Sequence, residues 1–218
     1  MNSGPISLTD QAYAILEEQI VTLVLAPGQV LSENTLAGAL GFGRTPIREA
    51  LQRLAREGLI VILARRGVMV SEINVRNQLE LLRVRRELER LMAQLAASRA
   101  SNEERAAFQS LAEGMTKAAR DDDDVAFMRL DRDLNRLISS ASRNEYAQRA
   151  IALTHGLSRR FWYRHYQEVL DLPLCARLHA ALARAISERE VDEAMNCSDQ
   201  LLDYIETFTR AALDAPMS

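Results

Sequence analysis

Only two cysteines occur in the 218 residues, Cys175 and Cys197. That is too few for a disulfide-stapled scaffold, and without a secretory leader they read as free thiols. No basic segment followed by an apolar run opens the chain, so no signal peptide is expected. Long hydrophobic runs are also missing. The uncharged stretch around Ile20 to Leu25 falls far short of the ~20 residues that span a bilayer. A cytoplasmic protein with no membrane partner is the expectation. Excess charge of one sign is absent as well. With 27 Lys+Arg against 30 Asp+Glu, the net charge of −3 excludes a strongly basic coat protein and, taken alone, argues against nucleic acid. A hydrophobic content of 48% with 26% charged residues excludes a disordered chain.

Glycine and proline are scarce where they would break helices. Six of the nine glycines fall between Gly28 and Gly67, and no proline occurs between Pro46 and Pro173. The first third is therefore expected to be a compact fold with turns, and the remainder long helices. Ala12, Ile15, Leu16, Ile20 and Leu23 recur at spacings of three and four, which predicts a helix over residues 8–25, capped by Thr9 or Asp10. Ser32 suits the N-cap of a short second helix. Gly41-Phe42-Gly43 makes a tight break. A third helix then runs from Arg44–Pro46 to Glu57, with Pro46 in its first turn, Ile47, Leu51 and Leu54 inward, and Gly58 as terminator. Leu59 to Leu63 and Val68 to Val70 read as two short strands about a basic turn. This order is that of a winged helix-turn-helix.

The local charge differs from the net charge. From Arg44 to Arg66 six arginines face two acids, a balance of +4. In a helix-turn-helix the second helix presents its N-terminal residues to the major groove. Those residues are Arg44, Thr45, Pro46 and Arg48. Arg44 and Arg48 share a face, and an arginine can bind guanine in a bidentate manner. Arg53 follows on the same helix, and Arg65, Arg66 and Gly67 form the wing tip. These residues are the expected contacts to double-stranded operator DNA.

From about residue 74 the period is helical throughout, with helices expected near 74–99, 102–119, 124–140, 144–167, 175–188 and 190–213. Ser101 with Glu104 fits a capping box. The run Asp121 to Asp124 lacks the glycine turn and alternating ligands of a calcium loop and reads as a solvated helix cap. The expected fold class is mainly α: a DNA-binding domain over residues 1–72 with three helices and a two-stranded wing, then an all-helical domain of about six helices over residues 73–218.

The segments Pro27-Gly28-Gln29-Val30-Leu31-Ser32-Glu33, Leu36-Ala37, Leu40-Gly41, Arg44-Thr45-Pro46-Ile47-Arg48-Glu49-Ala50-Leu51 and Glu57-Gly58-Leu59 resemble the GntR family of bacterial transcription regulators. The helical remainder, with Arg85-Arg86-Glu87-Leu88-Glu89 as its first-helix signature, is similar to the FCD-type ligand-binding domain of the FadR subgroup. The resemblance implies a homodimer that binds a pseudo-palindromic operator, usually as a repressor, and responds to a small-molecule effector, commonly an organic acid. It also implies a divalent transition metal such as Zn or Ni, held by an Asp, a His four residues on and two later His. Asp131 and His179 match two of these ligands. Asn135 stands at the second and Leu201 near the last, so the set is incomplete.

The residues themselves add effector candidates. Arg85 interrupts the apolar stripe Leu81, Leu88, Met92 and Leu95. A buried guanidinium needs a partner, either an internal acid or a ligand carboxylate. His155, Arg159 and Trp162 share one face of an aromatic-rich helical segment, which reads either as core or as the wall of a pocket for a planar acid. With Asp131, Asn135 and His179 these make up the expected effector site. Two other function classes fit parts of the pattern: a metal-dependent all-α enzyme fused to a DNA-binding module, and a nucleoid-type binder without sequence preference. There is no nucleophile–base pair, phosphate loop or complete metal triad to favour an enzyme.

Overall fold

The structure, a computed structural model, describes residues 7–64, 66–169 and 171–214. The N-terminal helix α1 spans Leu8–Val21. Its cap is Ser7, whose Oγ accepts from the Asp10 N–H at 3.0 Å, rather than Thr9 or Asp10. The helix stops short of Leu25 because Thr22 closes it and Leu23 turns to a φ of 61°. A two-residue strand β1 (Val30–Leu31) leads to α2 (Glu33–Leu40), capped by Ser32 through the Thr35 N–H at 3.1 Å. Gly41 ends α2 in the left-handed region at φ 71°, and α3 runs over Arg44–Arg56. Strands β2 (Ile60–Leu63) and β3 (Gly67–Val70) complete the wing.

The wing differs from the expected hairpin. Val30 pairs with Met69 and Leu31 with Val68, so β3 is the central strand of a three-stranded antiparallel sheet ordered β1-β3-β2. Two residues are too few to show a period of two, and only the pairing exposes β1 as a strand. The core beneath it comprises Ala12, Leu16 and Ile20 from α1, Leu36 from α2, Ile47, Ala50, Leu51 and Leu54 from α3, and Leu59, Ile60, Val68 and Val70 around the sheet.

The remaining helices are α4 (Val75–Arg99), α5 (Asn102–Asp121), α6 (Asp124–Ser142), α7 (Glu145–Val169), α8 (Leu172–Glu188) and α9 (Val191–Asp214). Ser101 and Glu104 form the expected capping box at the start of α5. The acidic run lies at the junction of α5 and α6, where Asp122 turns left-handed at φ 51° and Asp123 caps α6. The bundle core is built on Phe108, Met115, Leu134, Ile138, Ile151 and Ile186, with Ala93, Ala96, Ala97, Ala112 and Ala183 allowing close approach of the helices. Arginines tie the helices at their ends. Arg99 donates to the Ser142 carbonyl at 2.9 Å and Arg105 to the Ser187 carbonyl at 2.6 Å, each meeting carbonyls that a helix C-terminus leaves open. Arg86 and Arg90 reach Asp203 and Asp199 on α9 at 2.7 and 3.0 Å. Among the described residues no helix is long and apolar enough to cross a membrane.

By its internal contacts the chain forms two compact units. One unit comprises the chain through Asn74 together with Leu153–Tyr166 of α7, and the other Val75–Ala152 and the chain from Gln167 on.

Gly67 is constrained twice. Its φ is 97°, and an added Cβ would lie 2.3 Å from the Leu31 carbonyl oxygen. Gly67→Ala is therefore expected to break the β1–β3 pairing and destabilise the winged helix by about 2 kcal/mol or more. Urea unfolding followed through wing amide resonances measures this; an unshifted midpoint contradicts it.

Candidate nucleic-acid interface and effector site

The three-residue turn Gly41–Gly43 sets α3 against α1 and α2, and the stripe Ile47, Ala50, Leu51 and Leu54 is buried. This leaves Arg44, Thr45 and Arg48 exposed on the opposite side, with Pro46 half-buried between them. Gly43 caps α3 without a side-chain hydrogen bond. Pro46 has no N–H, so the Arg44 and Thr45 N–H groups are the donors this uncapped start offers, and such a helix start favours a phosphate oxygen. Arg48 is held by Glu33 of α2, with Nη2 2.9 Å and Nε 3.1 Å from one carboxylate oxygen. The pair is exposed, so it orients the guanidinium at little energetic cost to a base or phosphate that displaces Glu33. Arg66 is exposed beside Gly67 at the wing tip; Arg65 lies outside the described residues.

Arg53 does not share this face. At 100° per residue it lies roughly 140° round the helix from Arg48. Its guanidinium sits 3.6 Å from the centre of the Tyr13 ring, and it pairs with Asp10 at 3.5 Å and Glu57 at 3.2 Å. The Tyr13 hydroxyl donates to Glu57 at 2.7 Å, and Glu57 is buried. Burial, with the Glu57 hydrogen bond next, pushes the Tyr13 pKa well up. Arg53 is thus a clamp between α1 and α3, which its membership of a basic segment did not reveal.

In the bundle, Asp131 of α6 and His179 of α8 meet directly, with Nε2 3.1 Å from Oδ1. Asn135 donates to the same Asp131 oxygen at 3.0 Å. The His179 Nδ1 faces the Cys175 carbonyl at 2.8 Å, and Phe127 packs edge-on at 5.2 Å. Both ring nitrogens thus face acceptors, a setting that favours the imidazolium. Burial works against that charge, but Cys175 and the Asp131 carboxylate outweigh it, and the pKa stands well above the ordinary 6.5.

The residues fit a metal poorly. Among the described residues no group of three His, Cys, Asp or Glu side chains could hold one. Asn135 turns its amide N–H to Asp131 and as a neutral amide offers a transition metal only a weak oxygen, and Leu201 is a buried apolar residue with no donor atom. Asp131 and His179 satisfy one another instead.

The other effector candidates are distributed differently from expectation. Arg85 is largely buried and meets an acid on its own helix, Glu89, with Nε 2.6 Å from the carboxylate. His155, Arg159 and Trp162 belong to the unit that contains the winged helix. Arg159 donates to Glu17 of α1 at 2.8 and 3.0 Å, and Trp162 stacks on Tyr166 at 4.6 Å. Spacing along α7 showed a common face but not the element that face would meet.

Two outcomes test these assignments. Arg53→Ala is expected to cost the winged helix about 1.5–3 kcal/mol, because a buried carboxylate loses its charged donor; thermal unfolding checks this, and an unchanged midpoint refutes the clamp. A raised folded-state pKa means that His179 contributes stability that is complete below about 6.5 and is lost as the pH rises through the folded value. Asp131→Asn should therefore flatten the fall in bundle stability above that pH, and parallel denaturation profiles for the two proteins would contradict the ion pair.

The FCD domain model matches residues 80–204, and the model of bacterial regulatory proteins of the gntR family matches residues 8–70. An uncharacterized HTH-type transcriptional regulator in an unstable DNA locus of Streptomyces ambofaciens is 47% identical over 62 residues, 28% of this chain and 26% of that protein. The HTH-type transcriptional repressor RspR of Escherichia coli is 27% identical over 203 residues, covering 93% of this chain and 89% of RspR. The solved structure of E. coli McbR/YncC superposes with a TM-score of 0.81 at 23% identity, over 96% of this chain and 100% of that one, which shows the same fold. The chain belongs to the FCD-domain transcription regulators, with a GntR-family helix-turn-helix at its N-terminal end.

Proposed function

We propose that this regulator is a cytoplasmic homodimeric repressor that binds a pseudo-palindromic operator and releases it when a small organic acid occupies the FCD domain. The observation that carries the reading is the start of α3, where Arg44, Thr45 and Arg48 stand exposed beside open main-chain N–H groups over a fully buried stripe. Two copies would present two such helices to successive major-groove faces, which is what a palindrome supplies. Val84 and Leu91, seven residues apart on α4 and both exposed, give the bundle an apolar strip suited to a second copy. RspR, which is similar along most of the chain, is a transcriptional repressor.

For the effector, the bundle offers two shielded cations, Arg85 and His179, each already holding a carboxylate. An incoming acid would exchange with Glu89 or Asp131, and the energy of that exchange is what could bias one dimer geometry over another. Family and fold make the protein a DNA-binding regulator and not an enzyme.

Duplexes enriched from a random pool by the wild-type protein supply the probe. Arg48→Ala is expected to weaken binding by about 1–3 kcal/mol and relax selectivity at one base position in each half-site. Equal affinity of the wild type for enriched and scrambled duplexes at physiological salt would instead indicate a binder without sequence preference. If no member of a panel of small carboxylic acids shifts the affinity, the effector class is wrong.

A further inference from the structure

The second half of α7 does something its aromatic and basic composition did not suggest. Gly156 is buried, and an added Cβ would lie 2.6 Å from Cδ1 of the fully buried Leu59, so glycine is what lets the helix approach that corner. Leu157 packs against the winged-helix core. Arg159 grips Glu17 on α1. Arg160 is only 2% exposed, and among the described residues its hydrogen bonds go to no carboxylate, the nearby Glu72 carboxylate acting on it through charge alone. Its Nη1 donates to the Ser71 carbonyl at 2.8 Å, and its Nη2 to the Ser71 Oγ at 3.0 Å and the Glu72 carbonyl at 3.3 Å. Ser71 passes the connection on. Its hydroxyl donates to the Gly58 carbonyl at 2.7 Å and the Leu59 carbonyl at 3.1 Å, and its N–H to the Leu59 carbonyl at 3.0 Å. The guanidinium thereby holds the chain leaving β3, and Ser71 in turn joins that chain to the corner between α3 and β2.

A cation buried on main-chain oxygens is a poor source of stability, because its desolvation offsets its hydrogen bonds. Burial lowers the Arg160 pKa to about 10, which still leaves it charged at neutral pH. What the arrangement supplies is geometry. Three acceptors from two consecutive residues fit a planar fork in one orientation only.

We propose that Leu153–Tyr166 is a buttress for the DNA-reading unit, and that Arg160 is a positioning residue for operator binding. It acts through Ser71 and the Gly58–Leu59 corner to hold the end of α3 and the start of β2 in one relation. It touches no DNA itself, being buried. The same helix continues back into the bundle through Glu145–Ala152, so the buttress is covalently part of the effector domain.

The test uses the full-length protein and the enriched duplexes. Arg160→Leu should weaken binding at least about tenfold, while the slope of log affinity against log salt stays unchanged, since no phosphate contact is lost. The Leu59 and Ser71 amides should exchange faster, with bundle amides unaffected. Ser71→Ala, which removes the relay without leaving a cation unpaired, should show the same pattern at smaller size, and Arg160→Lys should recover part of the affinity. Unchanged affinity in both Arg160→Leu and Ser71→Ala would overturn the proposal. So would a shallower salt slope, which signals a direct phosphate contact, or faster exchange throughout the bundle, which signals a general loss of fold.

Discussion

Burial of one face of α3 is the constraint from which the DNA-binding unit follows. Ile47 and Leu54 are fully buried and Leu51 nearly so, packed among Ala12, Leu16 and Ile20 of α1. Each such side chain contributes roughly 1.5–3 kcal/mol on leaving water. No exposed ion pair on the same helix competes with that, so rotation of α3 about its axis is decided by these residues. Everything polar then has an assigned direction. Arg44, Thr45 and Arg48 face out, and Arg53 faces α1, where Tyr13, Asp10 and Glu57 receive it. The local excess of arginine is thus two populations, one left at the surface and one that ties α3 to α1.

The bundle uses arginine differently. Its core is rich in alanine, so helices approach closely around larger side chains such as Phe108, Met115 and Leu134. Arg99 and Arg105 finish helix C-termini on α6 and α8, and Arg86 and Arg90 bind α4 to the acids of α9. At its polar centre, Asp131 and His179 pair directly. Where a related site would place further histidines, Asn135 and Leu201 supply no comparable ligand, and the two remaining groups satisfy one another's hydrogen bonds instead of a metal's coordination.

Much of this organisation was legible before any coordinates. Helical periods located α4 to α9 within a few residues, since each helix buries a stripe and the stripe repeats every three to four positions. Ser32, Ser101 and Gly41 marked boundaries because capping chemistry is local. The strand β1 escaped notice because its two residues have meaning only against β3. Ser7 is not singled out as the cap by local chemistry, because Thr9 and Asp10 offer the same acceptors two and three residues later. The partners of Arg53 and Arg159 are not legible in the sequence for a common reason: a charged side chain on a helix advertises its face but not the neighbour that face will meet.

By itself the sequence determined the class of the protein. Turn residues, apolar periods and a local balance of +4 within a net −3 sufficed for a winged helix-turn-helix followed by a helical effector domain. Each of these is a property of residues close together in the chain. The tertiary structure alone decided the pairings across long separations: Tyr13 with Glu57, Arg159 with Glu17, Arg160 with Ser71, and Asp131 with His179. A guanidinium takes whatever acceptor packing brings within about 3 Å, and packing is a property of the whole chain. That is why α7, which reads as one helix of the effector domain, has its second half in the unit that binds DNA.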